Sequence, residues 1–256
     1  MKRPIAILLF VVAHAAPAPL TAQAPAPLRL EVGAAEVDGR VYPPHRARNR
    51  VYPPGATTHS TTWTNELTLA DSAGVRVMRW VTLGTQPNGT TWELRQTYDA
   101  RTLAPMAYSY RNSAGYQKTF NVEGTRVRGS MRTPADSTLR DFDWTLPRLG
   151  YWGSASDLVP PAVGMQAGAV MSVPVWNGDS VAPVQHVFRV LGERTVDVEG
   201  ESIVAWAVEE RVEATDELEA TWYLVDRSPF MVLAEIPTQN GTMRITGVNE
   251  PRLSRP

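Results

Sequence analysis

From Trp63 onward, apolar and polar residues alternate with a period of two, the spacing that sends successive side chains to opposite faces of a β-strand. Trp63, Asn65, Leu67 and Leu69 share one face of a first run. Val75, Val77, Arg79, Val81 and Leu83 share a face of the next, with Met78 and Trp80 opposite. Asp71-Ser72-Ala73-Gly74 separates the two runs. Asn88-Gly89 supplies the following reversal, a pair that tolerates the positive φ of a hairpin turn. Trp92, Leu94, Gln96 and Tyr98 then share a face. Tyr98 to Tyr110 and Thr221 to Ile236 are built alike: a strand carrying aromatics, a short turn with Asp and Arg, and an apolar return. In the second of these, Trp222 and Leu224 point one way and Thr221, Tyr223 and Val225 the other.

Tyr116 to Val122 and Val127 to Met131 extend the pattern, with Glu123-Gly124 between them. Asp141 to Ala169 departs from it. Tyr151 to Val159 predicts one or two helical turns, stopped by Pro160-Pro161, in a segment that caps an open sheet or joins two halves. Strands resume at Ala169–Trp176, Val184–Leu191, Arg194–Val198, Ile203–Glu213, Leu218–Val225, Phe230–Ile236 and Thr242–Val248. The connections are too short for parallel crossovers. The fold class is therefore all-β: a single antiparallel meander of about a dozen strands, strongly curved into a half-barrel or barrel, with at most one short helix.

The ends divide differently. Met1-Lys2-Arg3, the apolar Ile5 to Ala13 and Ala22-Gln23-Ala24 form the three parts of a secretory signal, taken as residues 1–24. Nine apolar residues fall short of the roughly 20 that span a bilayer. Residues 25–58 read as a Pro-rich extension along the surface, with Arg40-Val41-Tyr42-Pro43-Pro44 echoed by Arg50-Val51-Tyr52-Pro53-Pro54. Residues 59–250 form the β-rich domain, and 251–256 a polar tail. The chain has no Cys, which excludes an N-terminal lipid anchor, disulfides and thiolate chemistry. Without Lys2 and Arg3, 23 basic residues face 26 acidic ones and no basic stripe is evident, so nucleic acid is not an expected partner. The expectation is a soluble periplasmic or otherwise exported protein.

The chemistry is sparse. Gly153-Ser154-Ala155-Ser156 does not match a nucleophile elbow. His45, His59 and His186 lack the spacing of a metal pair, and His186, alternating with Val184, Phe188 and Val190, reads as a satisfied interior imidazole. The acidic run Glu209, Glu210, Glu213, Asp216, Glu217, Glu219 invites a glycosidase reading, but it reads better as a solvated hairpin tip. No catalytic residue, metal or cofactor is assigned. The remaining candidates are the mid-strand indoles Trp80, Trp92, Trp206 and Trp222, which would line a concave surface fit for an acyl chain or a sugar face, or else fill the core.

The second half resembles the DUF3108 type of exported bacterial protein. The likeness rests on Val163-Gly164-Met165, Val196 to Glu201 leading into Ala205-Trp206-Ala207-Val208, Trp222-Tyr223-Leu224-Val225-Asp226 and Met231-Val232-Leu233, with Tyr98 to Met106 resembling a family hairpin. Trp222-Tyr223 reverses the common aromatic order, and Ala234 stands where a basic residue is usual. The resemblance implies an envelope-associated β-rich domain and, by analogy with periplasmic lipoprotein carriers, an unclosed barrel with an apolar concave face. It carries no functional residues. The leading expectation is non-enzymatic binding of a lipid-like or glycan ligand. The alternative is an interaction module for another envelope protein, and a hydrolase is the least favoured reading.

Overall fold

The structure, a computed structural model, describes residues 26–250 apart from 73, 179–181 and 229. The signal segment and the polar tail lie outside the described residues. The strands in chain order are β1 (Leu28–Arg29), β2 (His45–Tyr52), β3 (Thr61–Ser72), β4 (Val75–Thr85), β5 (Thr91–Asp99) and β6 (Pro105–Asn112). Then come β7 (Gln117–Glu123), β8 (Arg126–Thr133), β9 (Asp136–Thr145) and the two-residue β10 (Tyr151–Trp152). After a short 3-10 turn (Gly153–Leu158) and helix α1 (Val159–Val163) follow β11 (Val170–Trp176), β12 (Val184–Val198), β13 (Glu201–Val212), β14 (Leu218–Leu224), β15 (Met231–Thr238) and β16 (Gly241–Asn249). All sixteen belong to one curved sheet, ordered from β11 through β16, then β2 through β9. Every long pairing is antiparallel; only the two-residue strands β1 and β10 lie parallel, both on β11.

The Pro-rich segment corrects the expectation of a surface extension. Its prolines flank β2 instead of interrupting it, so the ladder keeps its donors. β2 pairs with β16 on one side and β3 on the other, joining the two halves of the sheet. Leu30, Val37 and Tyr42 from the same segment are fully buried. Two further differences are local. β9 was hidden because its outer face is mostly polar and exposed, as befits an edge strand, and its inner face carries only Phe142 and Trp144 among polar residues. Pro160-Pro161 do not stop the helix; they stand in the first turn of α1, where a missing N–H costs nothing.

The inner face carries the core. Leu67, Met78, Tyr98, Phe120, Phe188, Val208 and Leu224 are all buried there, each contributing about 1.5–3 kcal/mol by leaving water. The 3-10 turn and α1 cross this interior as a plug. Ser154 accepts a hydrogen bond from Gln96 Nε2 on β5 (2.8 Å), and Ser156 donates to Glu210 on β13 (3.2 Å). Tyr42 Oη donates to the Leu158 carbonyl (2.6 Å), and the Asp38 N–H to that of Ala162 (2.8 Å).

Between the β9 and β11 edges no backbone ladder forms among the described residues. Side chains close the gap. Trp152 stacks on Trp176 (5.0 Å between centroids), and Phe120 meets both at 5.4 and 5.5 Å. Lys118, 3% exposed, donates to the Gly178 carbonyl (2.6 Å).

The β12–β13 hairpin runs beyond its neighbours. Its tip, Glu199-Gly200, has positive φ at both residues, as a two-residue hairpin turn needs. The tip reaches over β14 and β15: Glu199 accepts from Thr246 Oγ1 (2.9 Å) and pairs with Arg50. Beneath it lies a second, outer apolar cluster containing Val198, Ala205, Val225 and Leu233. This is why Tyr223 and Val225, opposite Trp222, are also covered.

Candidate functional site

Two regions of the inner face carry side chains that the core does not explain. The first is a hub of polar groups under the plug. His186 alternates inward on β12, as its pattern predicted, and its Nδ1 lies 2.7 Å from Glu210 Oε1. Glu210 Oε2 also accepts from Trp222 Nε1 (2.8 Å) and Ser156 Oγ (3.2 Å). Glu210 is 4% exposed, so this member of the acidic run is not solvated, contrary to expectation. The sequence held the signal: Glu210 sits between Val208 and Val212 on the apolar face of β13. Three donors satisfy the carboxylate, as a buried charge requires.

Asp157, in the plug, is covered less completely by area but lies deep among protein atoms. Burial, reinforced by the charge of Glu210, pushes its carboxyl from 3.8 up to about 7. Burial likewise raises the Tyr42 and Tyr98 phenols, with the Asp157 charge adding to both. Tyr98 Oη has no hydrogen-bond partner. The arrangement is not a catalytic triad, because Ser156 bonds to the carboxylate and not to the imidazole. Among the described residues no group of three His, Asp or Glu is placed to hold a metal.

The second region is an aromatic array near the opposite end of the inner face. Trp63 and Trp92 lie 6.2 Å apart, Trp92 stacks over Tyr110 at 6.4 Å, and Tyr110 meets Tyr116 edge-on at 5.5 Å. All four rings are partly exposed, and none packs in the core cluster. Gly84 makes this possible: its strand partners are Trp63 and Trp92, and a Cβ there would come within 2.4 Å of the Trp92 ring. Two buried amide atoms flank the array. Asn49, opposite Trp63 in the β2–β3 ladder and 1% exposed, has an unpartnered Nδ2; Asn65, two residues along, has an unpartnered Oδ1.

The four predicted indoles are therefore divided. Trp92 belongs to the array. Trp222 holds Glu210. Trp80 donates to Thr82 Oγ1 (3.1 Å), meets His45 edge-on (5.9 Å) and packs on the core, as does Trp206. Among the described residues, no ring contact joins the four to one another. Trp63 and Tyr110 were missed as site residues, although they alternate in step with Leu67 and Tyr108.

A curved, nearly all-β sheet with a plugged and aromatic-lined inner face defines a barrel-like β protein. The family model "Protein of unknown function (DUF3108)" matches residues 55–246, and the chain belongs to that family. The match begins just after β2. No curated protein matches. A solved structure, the "Beta-barrel-like Protein of Domain of Unknown Function DUF1849 from Brucella abortus", is similar at 13% identity and a TM-score of 0.49, over 80% of this chain and 96% of that one. No described helix is long and apolar enough to cross a membrane.

Proposed function

We propose that this is an exported envelope protein that binds an amphipathic, lipid-like molecule on the inner face of its sheet without transforming it. The observation that carries the reading is the array of Trp63, Trp92, Tyr110 and Tyr116, four partly exposed rings in sequence outside the core. Apolar area left open in a concavity is a binding feature, and core packing does not need it. The donor of Asn49 and the acceptor of Asn65 favour a ligand with a polar group over a plain acyl chain, since buried amides are normally satisfied. The plug fills the other end of the concavity, so the ligand occupies the end that holds the array. Export rests on the basic start, apolar run and small-residue site of the first 24 residues.

The test is native mass spectrometry of protein purified from a periplasm, followed by organic extraction. A co-purified amphiphile that is lost in Trp92→Ala but kept in Trp206→Ala supports the reading. Clean protein that also leaves tryptophan emission unchanged on titration with detergent-like amphiphiles refutes it.

A further inference from the structure

The outer face of β3–β6 carries a second feature, on the opposite side of the same strands from the aromatic array. A groove of about 540 Å³ crosses these strands. Strand register places its side chains. Thr62, Thr85 and Thr91 form one cross-strand row, and Thr64, Leu83, Glu93 and Arg111 the next. The residues between these rows, Trp63, Gly84 and Trp92, turn inward and leave backbone as the floor. Ser113 extends the first row, and its hydroxyl accepts from the Thr91 N–H (3.0 Å). Hydroxyls thus line one wall, and Thr64 adds one to the other.

One charged unit is fixed in this lining. Glu93 is 8% exposed and lies between two arginines. Arg95 pairs with one of its oxygens, and Arg111 donates from Nε to the other at 2.7 Å. Both arginine side chains remain well exposed, 62% and 70%. Their proximity holds the Glu93 carboxyl below its ordinary range, against burial, which acts to raise it. Two guanidiniums therefore share one carboxylate, and one positive charge is left over with free N–H donors directed by a buried anchor. In the same rows on β2, Arg48 shares Glu250 with Arg46, and Arg50 pairs with Glu199.

We propose that this outer groove binds an anionic saccharide, its hydroxyls paired with the threonine and serine row and its acid group on Arg111. A groove favours a saccharide over a membrane surface, because a bilayer meets a basic patch on a flat or convex face and cannot enter between two side-chain rows.

The test is titration calorimetry of the full chain with a sulfated disaccharide and its desulfated counterpart at low salt. The sulfated sugar binds at least about tenfold more tightly than the neutral one, the scale of a charge-assisted hydrogen bond. Arg111→Gln removes that preference, Glu93→Gln strengthens it by freeing the guanidiniums, and added salt weakens it. Arg111→Gln leaves Glu93 to Arg95 alone and lowers the melting temperature, so affinities are compared at a temperature where both proteins are folded, and Thr85→Val gives an independent loss of affinity for both sugars. Equal affinity for the two sugars, no binding of either at millimolar concentration, or binding to phosphatidylglycerol vesicles in preference to the sugar overturns the proposal.

Discussion

Replacing Asp157 by Asn tests whether the plug holds a carboxyl against its own ionisation. In the folded chain this group has its pKa raised to about 7, from 3.8 in the absence of the fold. Below about pH 4 both states carry the proton, and the group contributes nothing to pH dependence. Between about 4 and 7 only the native state carries it, so stability falls as pH rises. Above 7 the penalty is complete. At about 1.4 kcal/mol per tenfold change in proton affinity, the full interval is worth roughly 4 kcal/mol, and partial exposure of the residue reduces this to about 2–4 kcal/mol. Asn has the shape of the protonated acid but cannot ionise. The variant therefore matches wild type near pH 4 and exceeds it by about 2–4 kcal/mol at pH 8. Urea unfolding of both proteins at half-unit steps from pH 4 to 8 measures this, because the two differ in this one carboxyl alone. Parallel stability curves would refute the argument. A wild type that gains stability between pH 4 and 7 relative to the variant would reverse its sign.

Four further outcomes follow from the described contacts. Trp222→Phe keeps an aromatic ring, smaller than the indole, but removes the N–H that reaches Glu210; thermal unfolding registers a loss of about 1–3 kcal/mol, the cost of leaving Oε2 of a buried carboxylate to Ser156 alone. Deleting residues 26–52 removes β2 from between β16 and β3, and circular dichroism shows a chain that no longer unfolds cooperatively, whereas loss of a mere surface extension leaves the transition intact. Gly129→Ala puts a Cβ within 2.1 Å of the Thr119 carbonyl oxygen, and chemical denaturation reports a loss of at least about 1–3 kcal/mol from overpacking. Lys118→Met cuts the bond to Gly178, and hydrogen exchange speeds up in β9 and β11 on either side of the gap while β13–β15 keep their protection.

Most of the sheet was legible because period-2 alternation survives wherever one face is buried. Thr221 to Ile236 did what its pattern predicted, with Trp222 and Leu224 inward. Legibility failed where the pattern was masked by local chemistry. In β2, His45, Ala47, Asn49 and Val51 alternate with Arg46, Arg48 and Arg50, but the proline pairs at each end drew attention to the backbone they restrict. In β9 only Phe142 and Trp144 mark the inner face, and the charges that discourage further pairing of an edge strand mask the alternation. Glu210 was misread through its neighbours: a run of acidic residues suggests solvent, although the pattern of β13 turns this one inward and the next outward. The aromatic array depends on which strands lie side by side, and Gly84 gave no hint that it was the space two indoles need.

The position of β2 bears on when the protein can fold. One of the first strands made takes as its partner the last, β16, so a pairing that spans nearly 200 residues must form before the sheet is continuous. Until then β2 presents an open edge through the whole of synthesis, next to a half-sheet whose inner face is rich in aromatic rings. Long-range pairings of this kind make folding slow and leave intermediates prone to association. A chain emerging vectorially, N-terminus first, meets this problem in full. Docking the C-terminal half onto the N-terminal one is then the step that closes the longest loop, and β2 is the edge that stays open until it happens.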